Sequence, residues 1–198
     1  MQITKSYLEI YSDGACRGNP GRGGYGTVVN EYRLEKVNGM WVRKPVKSEE
    51  FCEGFSYTTN NRMELMGFIE GIRHITPTHN IVDMYTDSSL ICSAINKNWL
   101  WAWVNNGWKT KNKEPVKNDD LWKMLLSYYI PCKSKITVKW VKGHANNPLN
   151  CRCDWLATHA ADNIPMYKKN GVYIQGNPPK DDLPVSIQNN IASDIKIN

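Results

Sequence analysis

A glycine-rich segment between two β-rich segments limits how the first part of this chain can fold. Six of the thirteen residues at positions 14–26 are glycine, which is too many for a helix. Residues 7–12 (YLEIYS) favour a strand and end at the turn signal Asp13-Gly14. We therefore predict a strand over 7–12, a tight glycine loop, and a second strand over 24–30.

The rest of the chain alternates between strand and helix patterns. Residues 31–50 mix charges of both signs and predict a long hairpin excursion that leads into a third strand. The run Asn61-Arg62-Met63-Glu64 is a helix start, with Asn61 as the cap and Glu64 three residues later. The expected strands are 51–58, 81–86 and 136–141, and the expected helices are 61–75, 90–103, 119–129 and 151–161. This order predicts an α/β fold with a mixed five-stranded sheet flanked by helices.

Composition and cysteine usage exclude several classes of protein. The 198 residues are 41% apolar and 22% charged, which excludes disorder throughout, and no run of 18 apolar residues could span a membrane. Because the N-terminus shows no secretory signal, we expect the six cysteines to be free thiols in the cytoplasm. A zinc site using Cys151, Cys153, His144 or His159 is the weaker alternative, since one residue between thiols is short for a zinc pair. The net charge of +6 favours an acidic partner such as nucleic acid.

Four carboxylates stand at predicted ends of strands and starts of helices: Asp13, Glu64, Asp87 and Asp154. Each has an ordinary structural explanation, since Glu64 could cap a helix, Asp154 could face a helix dipole and Asp13 could begin a turn. Strand ends and helix starts meet at one rim of an α/β sheet, however, and four acids there would repel one another. Oxygen ligands of this kind suit Mg²⁺ or Mn²⁺, and a pair of such ions can cleave a phosphodiester.

Several sequence runs together resemble the type 1 ribonuclease H family, ribonuclease HI, and occur in that family's order over about residues 7–176. The runs are YSDGACRGNPGRGGYG (11–26), TTNNRMEL (58–65), YTDSS (85–89), GWKT (107–110), PVKNDDLW (115–122) and WVKGHANNPLNCRCDWLA (140–157). The resemblance implies a ribonuclease H-like fold with a mixed five-stranded sheet. It also implies endonucleolytic hydrolysis of the RNA strand in RNA–DNA hybrids.

The resemblance also implies the roles of the acids and of one histidine. Asp13 would bridge two Mg²⁺ ions, for which Mn²⁺ can substitute, and Glu64, Asp87 and Asp154 would complete their ligand shells. One ion would activate a water and the other would stabilise the leaving 3′ oxygen, which leaves 5′-phosphate and 3′-hydroxyl ends. His144 matches the family's loop histidine, a proton shuttle or an aid to product release, although a loop histidine can also be an exposed bystander.

Substrate contacts follow from the same resemblance. The family positions that read RNA 2′-hydroxyls fall on Asn19, Asn60 and Asn61 and on the backbone of Gly14 and Cys16. Thr59 and Asn118 match positions that grip a phosphate of the DNA strand. Trp99, Trp103 and Trp108 match a basic protrusion, where each ring could contact DNA or simply pack.

The chain also departs from the family pattern. Val104-Asn105-Asn106 replaces a basic triplet, and lysines appear later, between 109 and 117, so we expect weaker hybrid affinity with a flatter salt dependence. The connection from 30 to 53 is long, and no separate hybrid-binding domain is expected. We divide the chain into a catalytic domain, 1–161, and a C-terminal extension, 162–198, that is partly ordered or packed on the domain.

Two rival functions differ from hybrid cleavage. A non-catalytic nucleic-acid-binding module would not need four acids that repel one another. Another nuclease or a strand-transferase would not need the loop that reads 2′-hydroxyls or the PVKN residues at 115–118. We therefore expect a monomeric enzyme whose partner is an RNA–DNA hybrid and not a membrane.

The C-terminal extension gives the first testable prediction. Residues beyond Gly176 are rich in Pro and Asn and contain no basic run that could hold a hybrid. A chain that ends at Gly176 should cleave hybrid as fast per folded molecule as the full chain, with at most a modest fall in melting temperature. A truncated protein that is folded by circular dichroism yet inactive would place part of the site in the extension.

Overall fold

The computed structural model describes residues 4–143, 147–164, 166–169 and 172–175. The first three strands, β1 (Thr4–Gly18), β2 (Gly21–Val37) and β3 (Met40–Thr58), form an antiparallel meander. Two later strands, β4 (Ile81–Thr86) and β5 (Ile136–Trp140), add parallel to β1 and to each other. The sheet order β3-β2-β1-β4-β5 confirms the predicted mixed five-stranded sheet.

Five α-helices accompany the sheet in the described residues: α1 (Asn60–Arg73), α2 (Ser89–Asn96), α3 (Trp99–Asn105), α4 (Asp119–Tyr129) and α5 (Pro148–Asp162). A 3-10 helix over Ile130–Lys135 follows α4, and two short antiparallel strands, β6 (Met166–Lys169) and β7 (Val172–Gln175), follow α5. In the part of the chain that the structure describes, every helix is too short or too polar to cross a membrane.

Helices α1 and α5 cover opposite faces of the sheet. Neighbouring side chains of a strand point to opposite faces. Ile10 of β1 accordingly lies in the main core with Phe68 of α1, whereas Tyr11 lies in a smaller cluster with Cys153 and Leu156 of α5. The two helices therefore approach the end of β1 from both sides.

The predicted glycine loop between the first two strands is wrong, because β1 continues to Gly18 and β2 begins at Gly21. The glycines allow close packing rather than loop formation. A Cβ on Gly24 would lie 2.6 Å from the carbonyl oxygen of Ala157, and one on Gly26 would lie 2.6 Å from Cβ of Leu156. Glycine is needed here because the backbone of α5 rests directly on the strands.

Three predicted helix boundaries also change. The expected helix over 90–103 is two helices, because Asn98 adopts a left-handed conformation (φ 60°) between α2 and α3. Helix α1 begins at Asn60 with Thr59 as its N-cap, so Asn61 is not the cap. Helix α5 begins at Pro148 rather than 151, because the side chain of Asn147 accepts hydrogen bonds from the first turn. The segment 31–50 forms the expected hairpin, as the outer parts of β2 and β3.

Packing of α5 on glycine gives the second prediction. Gly54 of β3 pairs with Gly24, and a Cβ at position 54 would meet the backbone of Ala160 and approach Ile164 to 3.0 Å. Gly54→Ala should lower the free energy of unfolding by about 1–3 kcal/mol through overpacking, measured by chemical denaturation. The control Ser56→Ala changes an exposed residue of the same strand and should stay within about 0.5 kcal/mol of wild type. Equal stabilities of the two variants would contradict the close approach.

Candidate active site

Two of the predicted acids come from adjacent parallel strands. Asp13 lies on β1 and is buried, with 6% of its surface exposed, and it pairs across the strands with Gly26. Asp87 directly follows Thr86, the last residue of β4, and Thr86 is in register with Ser12 of β1. The parallel register therefore places Asp13 and Asp87 side by side at the end of the sheet.

Glu64 is brought to the same end of the sheet by α1. A Cβ on Gly14 would collide with the backbone of Met63 and Glu64, so α1 touches β1 beside Asp13. The Ser88 hydroxyl donates to Oε2 of Glu64 at 2.5 Å, and the Asn60 amide donates to Oε1 at 2.8 Å. The Glu64 carboxylate thus faces the end of β4 instead of capping its own helix.

Asp154 reaches the site from α5 and the opposite face. The first turn of α5, residues 148–151, consists of Pro, Leu, Asn and Cys, so Asp154 lies a turn beyond the helix start. It follows Cys153, whose carbonyl oxygen is packed on Gly26. Helix capping for Glu64 and the helix dipole for Asp154 are therefore both wrong as explanations of these acids.

The four acids lie within each other's electric field. The pKa of Asp13 is raised to about 8, mainly by burial and then by the charges of Asp87, Asp154 and Glu64, while a hydrogen bond from the Gly14 N–H opposes the rise. Burial likewise raises the pKa of Glu64, with Asp87 adding to the effect and the Ser88 hydrogen bond opposing it. The arrangement attracts positive charge.

The chemistry of these groups fits a hard divalent cation. Four carboxylates converge from β1, α1, the end of β4 and α5, and carboxylate oxygens are the ligands that Mg²⁺ and Mn²⁺ prefer. Within the described residues, no three acidic, histidine or cysteine side chains stand close enough together to hold a metal ion as they are placed. The case for a divalent cation therefore rests on the carboxylate ligands and on the negative charge that surrounds buried Asp13.

The alternative zinc site is not supported. Cys151 is exposed on α5 whereas Cys153 is fully buried, so the two thiols face different surroundings. The ring of His159 stacks on Trp155 with centroids 4.8 Å apart. His144 lies outside the described residues.

The residues expected to read 2′-hydroxyls cluster around the start of α1. Asn19, in the turn between β1 and β2, accepts a hydrogen bond from the Asn60 backbone N–H at 3.3 Å. Cys16 is half-buried on β1, and its thiol donates to the Thr58 carbonyl, while Asn61 is exposed in the first turn of α1. The turn after β1 and the start of α1 therefore form one surface beside Glu64.

The predicted aromatic contacts separate into two kinds. Trp99 is 41% exposed, with the Lys97 ammonium 5.7 Å from its ring centre. Trp103 packs edge-on against the buried Trp122, with centroids 5.2 Å apart. The structure thus favours packing for Trp103 and leaves Trp99 accessible.

Two polar residues of the site were missed by reasoning from the sequence. Ser88 caps α2, and its hydroxyl also holds Glu64. The sequence predicts only a helix start around Arg62, yet Arg62 joins α1 to Asn118 and Asp120 at the start of α4. The pairing of Arg62 joins residues more than fifty positions apart, so no local pattern could reveal it.

Comparison with known proteins agrees with the geometry. Residues 5–162 match the family model described as RNase H. A ribonuclease H of Lachnoclostridium phytofermentans is 46% identical over 156 residues, which cover 78% of this chain and 92% of that protein. A ribonuclease HI of Synechocystis is 40% identical over 166 residues, covering 83% of this chain and 94% of that protein.

Solved structures show the same fold. The crystal structure of LC9-RNase H1, described as a type 1 RNase H with the type 2 active-site motif, has a TM-score of 0.63 and 28% identity, and the match covers 94% of this chain and 85% of that one. LC11-RNase H1 in complex with RNA/DNA hybrid has a TM-score of 0.53 at 21% identity, covering 78% and 96%. The fold and the acidic rim define a nuclease-type α/β domain. The chain belongs to the RNase H family.

The raised pKa of Asp13 gives the third prediction. An acid with a higher pKa in the folded state binds its proton more tightly there, so the free energy of unfolding falls as pH rises between the two pKa values. In EDTA, the free energy of unfolding of wild type should fall between about pH 4 and about pH 8. That of Asp13→Asn should fall less over the same range, so that the variant is the more stable protein at pH 8.

Thermal melts across this pH range measure the effect. The control Asp162→Asn removes an exposed acid of α5 and should keep the wild-type slope between pH 4 and 8. Parallel curves for wild type and Asp13→Asn would show that Asp13 ionises normally.

Proposed function

We propose that this protein is an endoribonuclease that hydrolyses the RNA strand of RNA–DNA hybrids. The observation that carries the proposal is the convergence of three further carboxylates on buried Asp13, from three other elements. Membership of the RNase H family supports the reaction, and LC11-RNase H1, which shares the fold, is described in complex with RNA/DNA hybrid.

Divalent cations complete the proposed site. Asp13, Glu64, Asp87 and Asp154 would hold two Mg²⁺ ions, for which Mn²⁺ can substitute, with Asp13 shared between them. When bound, such ions supply an activated water and charge stabilisation at the leaving 3′ oxygen, giving 5′-phosphate and 3′-hydroxyl ends. Bound cations would also stabilise the buried carboxylates, because positive charge offsets the burial and the repulsion that raise the pKa of Asp13.

The chain's own residues position the acids and the substrate. Ser88 and Asn60 each donate a hydrogen bond to one oxygen of Glu64, and together these bonds fix the orientation of the carboxylate. The backbone of Gly14 and Cys16, with Asn19 and Asn61, would recognise 2′-hydroxyls of the RNA strand. The amide of Asn60 is engaged with Glu64, so Asn60 would act chiefly by orienting that carboxylate.

His144 keeps its proposed role in proton transfer or product release. We further propose a monomeric enzyme that acts in the cytoplasm, which agrees with the six cysteines, all described by the structure, remaining outside any disulfide.

Loss of the central acid gives the fourth prediction. Asp13→Asn should abolish cleavage of a labelled hybrid in Mg²⁺, because it removes the carboxylate that both ions would share, while hybrid binding persists. Asp162→Asn, an exposed acid of the same helix as Asp154, is the matched control and should keep wild-type activity. Retained cleavage by Asp13→Asn, within about tenfold or 1.4 kcal/mol of wild type, would contradict the assignment of the ions.

The same assay separates the rival functions. Wild type should cleave the hybrid and leave matched double-stranded DNA and double-stranded RNA intact. Binding of all three duplexes with no cleavage would identify a non-catalytic binding module. Cleavage of double-stranded DNA would identify a different nuclease on this fold.

A further inference from the structure

A polar cluster joins the start of α1 to the start of α4. Nη1 and Nη2 of Arg62 donate to the two carboxylate oxygens of Asp120 at 2.9 and 2.7 Å. Nη1 also donates to Oδ1 of Asn118 at 3.3 Å. The Arg62 side chain is 24% exposed, so the guanidinium lies partly beneath the surface and fixes two helix starts relative to each other.

This contact determines which way the Asn118 amide faces. A guanidinium has donors and no acceptor, so the atom of Asn118 that faces Arg62 must be the oxygen. The amide NH₂ group then points away from Arg62. An asparagine N-cap ordinarily turns its oxygen toward the N–H groups of its own helix, but in the described structure of α4 that side-chain bond is absent.

Thr59 shows the same departure at the start of α1. It is the N-cap of that helix, and within the described residues its side chain makes no capping bond. The backbone carbonyls of Thr59 and Asn118 accept only the usual intrahelical bonds, from the third and fourth N–H groups of α1 and α4. Both side chains are therefore withheld from capping, and Arg62 lies three residues after Thr59 and against Asn118.

We infer that Arg62 is a positioning residue that holds the Asn118 amide with its NH₂ group toward a phosphate of the DNA strand. This inference rests on the proposed function and on the family resemblance, which implies that Thr59 and Asn118 grip that phosphate. Arg62 acts through Asn118, because the Asp120 carboxylate occupies its guanidinium fork and balances its charge. Its contribution is to hybrid binding and not to the bond-breaking step.

The test compares Arg62→Lys, Arg62→Met and Asn118→Gly, and the double variant Arg62→Met with Asn118→Gly. Lysine can keep one ion pair with Asp120 but has no fork to hold Asn118 as well. Glycine suits position 118 because the residue there has φ 58°. The control is Arg152→Met, which removes a comparable two-bond pairing, between Arg152 and Glu50.

Hybrid dissociation constants measured by fluorescence anisotropy in EDTA give the main readout. Both Arg62 variants and Asn118→Gly should bind the hybrid about tenfold more weakly than wild type. A loss of this size corresponds to about one hydrogen bond to a charged group. The double variant should bind no more weakly than the single ones, and Arg152→Met should bind as wild type does. In Mg²⁺, KM should rise while kcat at saturating hybrid stays within about twofold of wild type.

Salt dependence separates positioning from direct contact. The slope of log Kd against log salt should be unchanged in Arg62→Lys and Arg62→Met, and a fall of about one would show that Arg62 itself neutralises a phosphate. Additive losses in the double variant, or wild-type binding by Arg62→Lys, would also overturn the inference. If Arg62→Met does not fold by circular dichroism, Arg62→Lys and Asn118→Gly decide it.

Failure of the inference and failure of the proposed function would give different experimental results. A wild-type chain that cleaves hybrid, with Arg62 variants of unchanged affinity, would overturn the positioning role alone. A wild-type chain that neither binds nor cleaves hybrid would remove both.

Discussion

The packing of α5 directly on glycines of β2 and β3 determines the depth and the charge of the site. Gly26 is the cross-strand partner of Asp13 and also the residue on which the carbonyl of Cys153 rests. The packing of α5 on Gly26 therefore both buries Asp13 and places Asp154 beside it. A side chain at position 26 would push the helix outward and separate the two acids.

Two buried aspartates show how differently the fold treats charge. Asp83 is 8% exposed and accepts hydrogen bonds from the Tyr7 hydroxyl at 2.8 Å and the Lys139 ammonium at 2.7 Å. Asp13 is equally buried, yet the side chains that most affect its pKa are three other acids. A buried charge is ordinarily paired because desolvation is costly. The cost at Asp13 agrees with the proposed function, in which divalent cations bring positive charge to the site.

The helix starts differ in whether a side chain caps them. Ser88 and Asn147 cap α2 and α5 with their side chains, as local rules predict. Thr59 and Asn118 occupy cap positions of α1 and α4 but hold their side chains away from the helix ends. In the described part of the chain, Asn98 at the start of α3 also makes no side-chain capping bond, so it is their shared place beside Arg62 that distinguishes Thr59 and Asn118.

The sequence by itself determined the class of fold, the order of the strands along the chain and the four acids. Strand and helix periodicity are local, and acids at the ends of periodic segments stand out from the sequence pattern alone. It could not determine that the glycine segment is strand. A glycine in the sequence does not show whether it allows a turn or makes room for a helix packed against the strand. The sequence also could not exclude capping for Glu64 or a dipole role for Asp154, since those explanations depend on helix starts that moved by a few residues. Only the tertiary structure decided these points, and the pairing of Arg62 with Asn118 and Asp120, because each depends on contacts between residues distant in the chain.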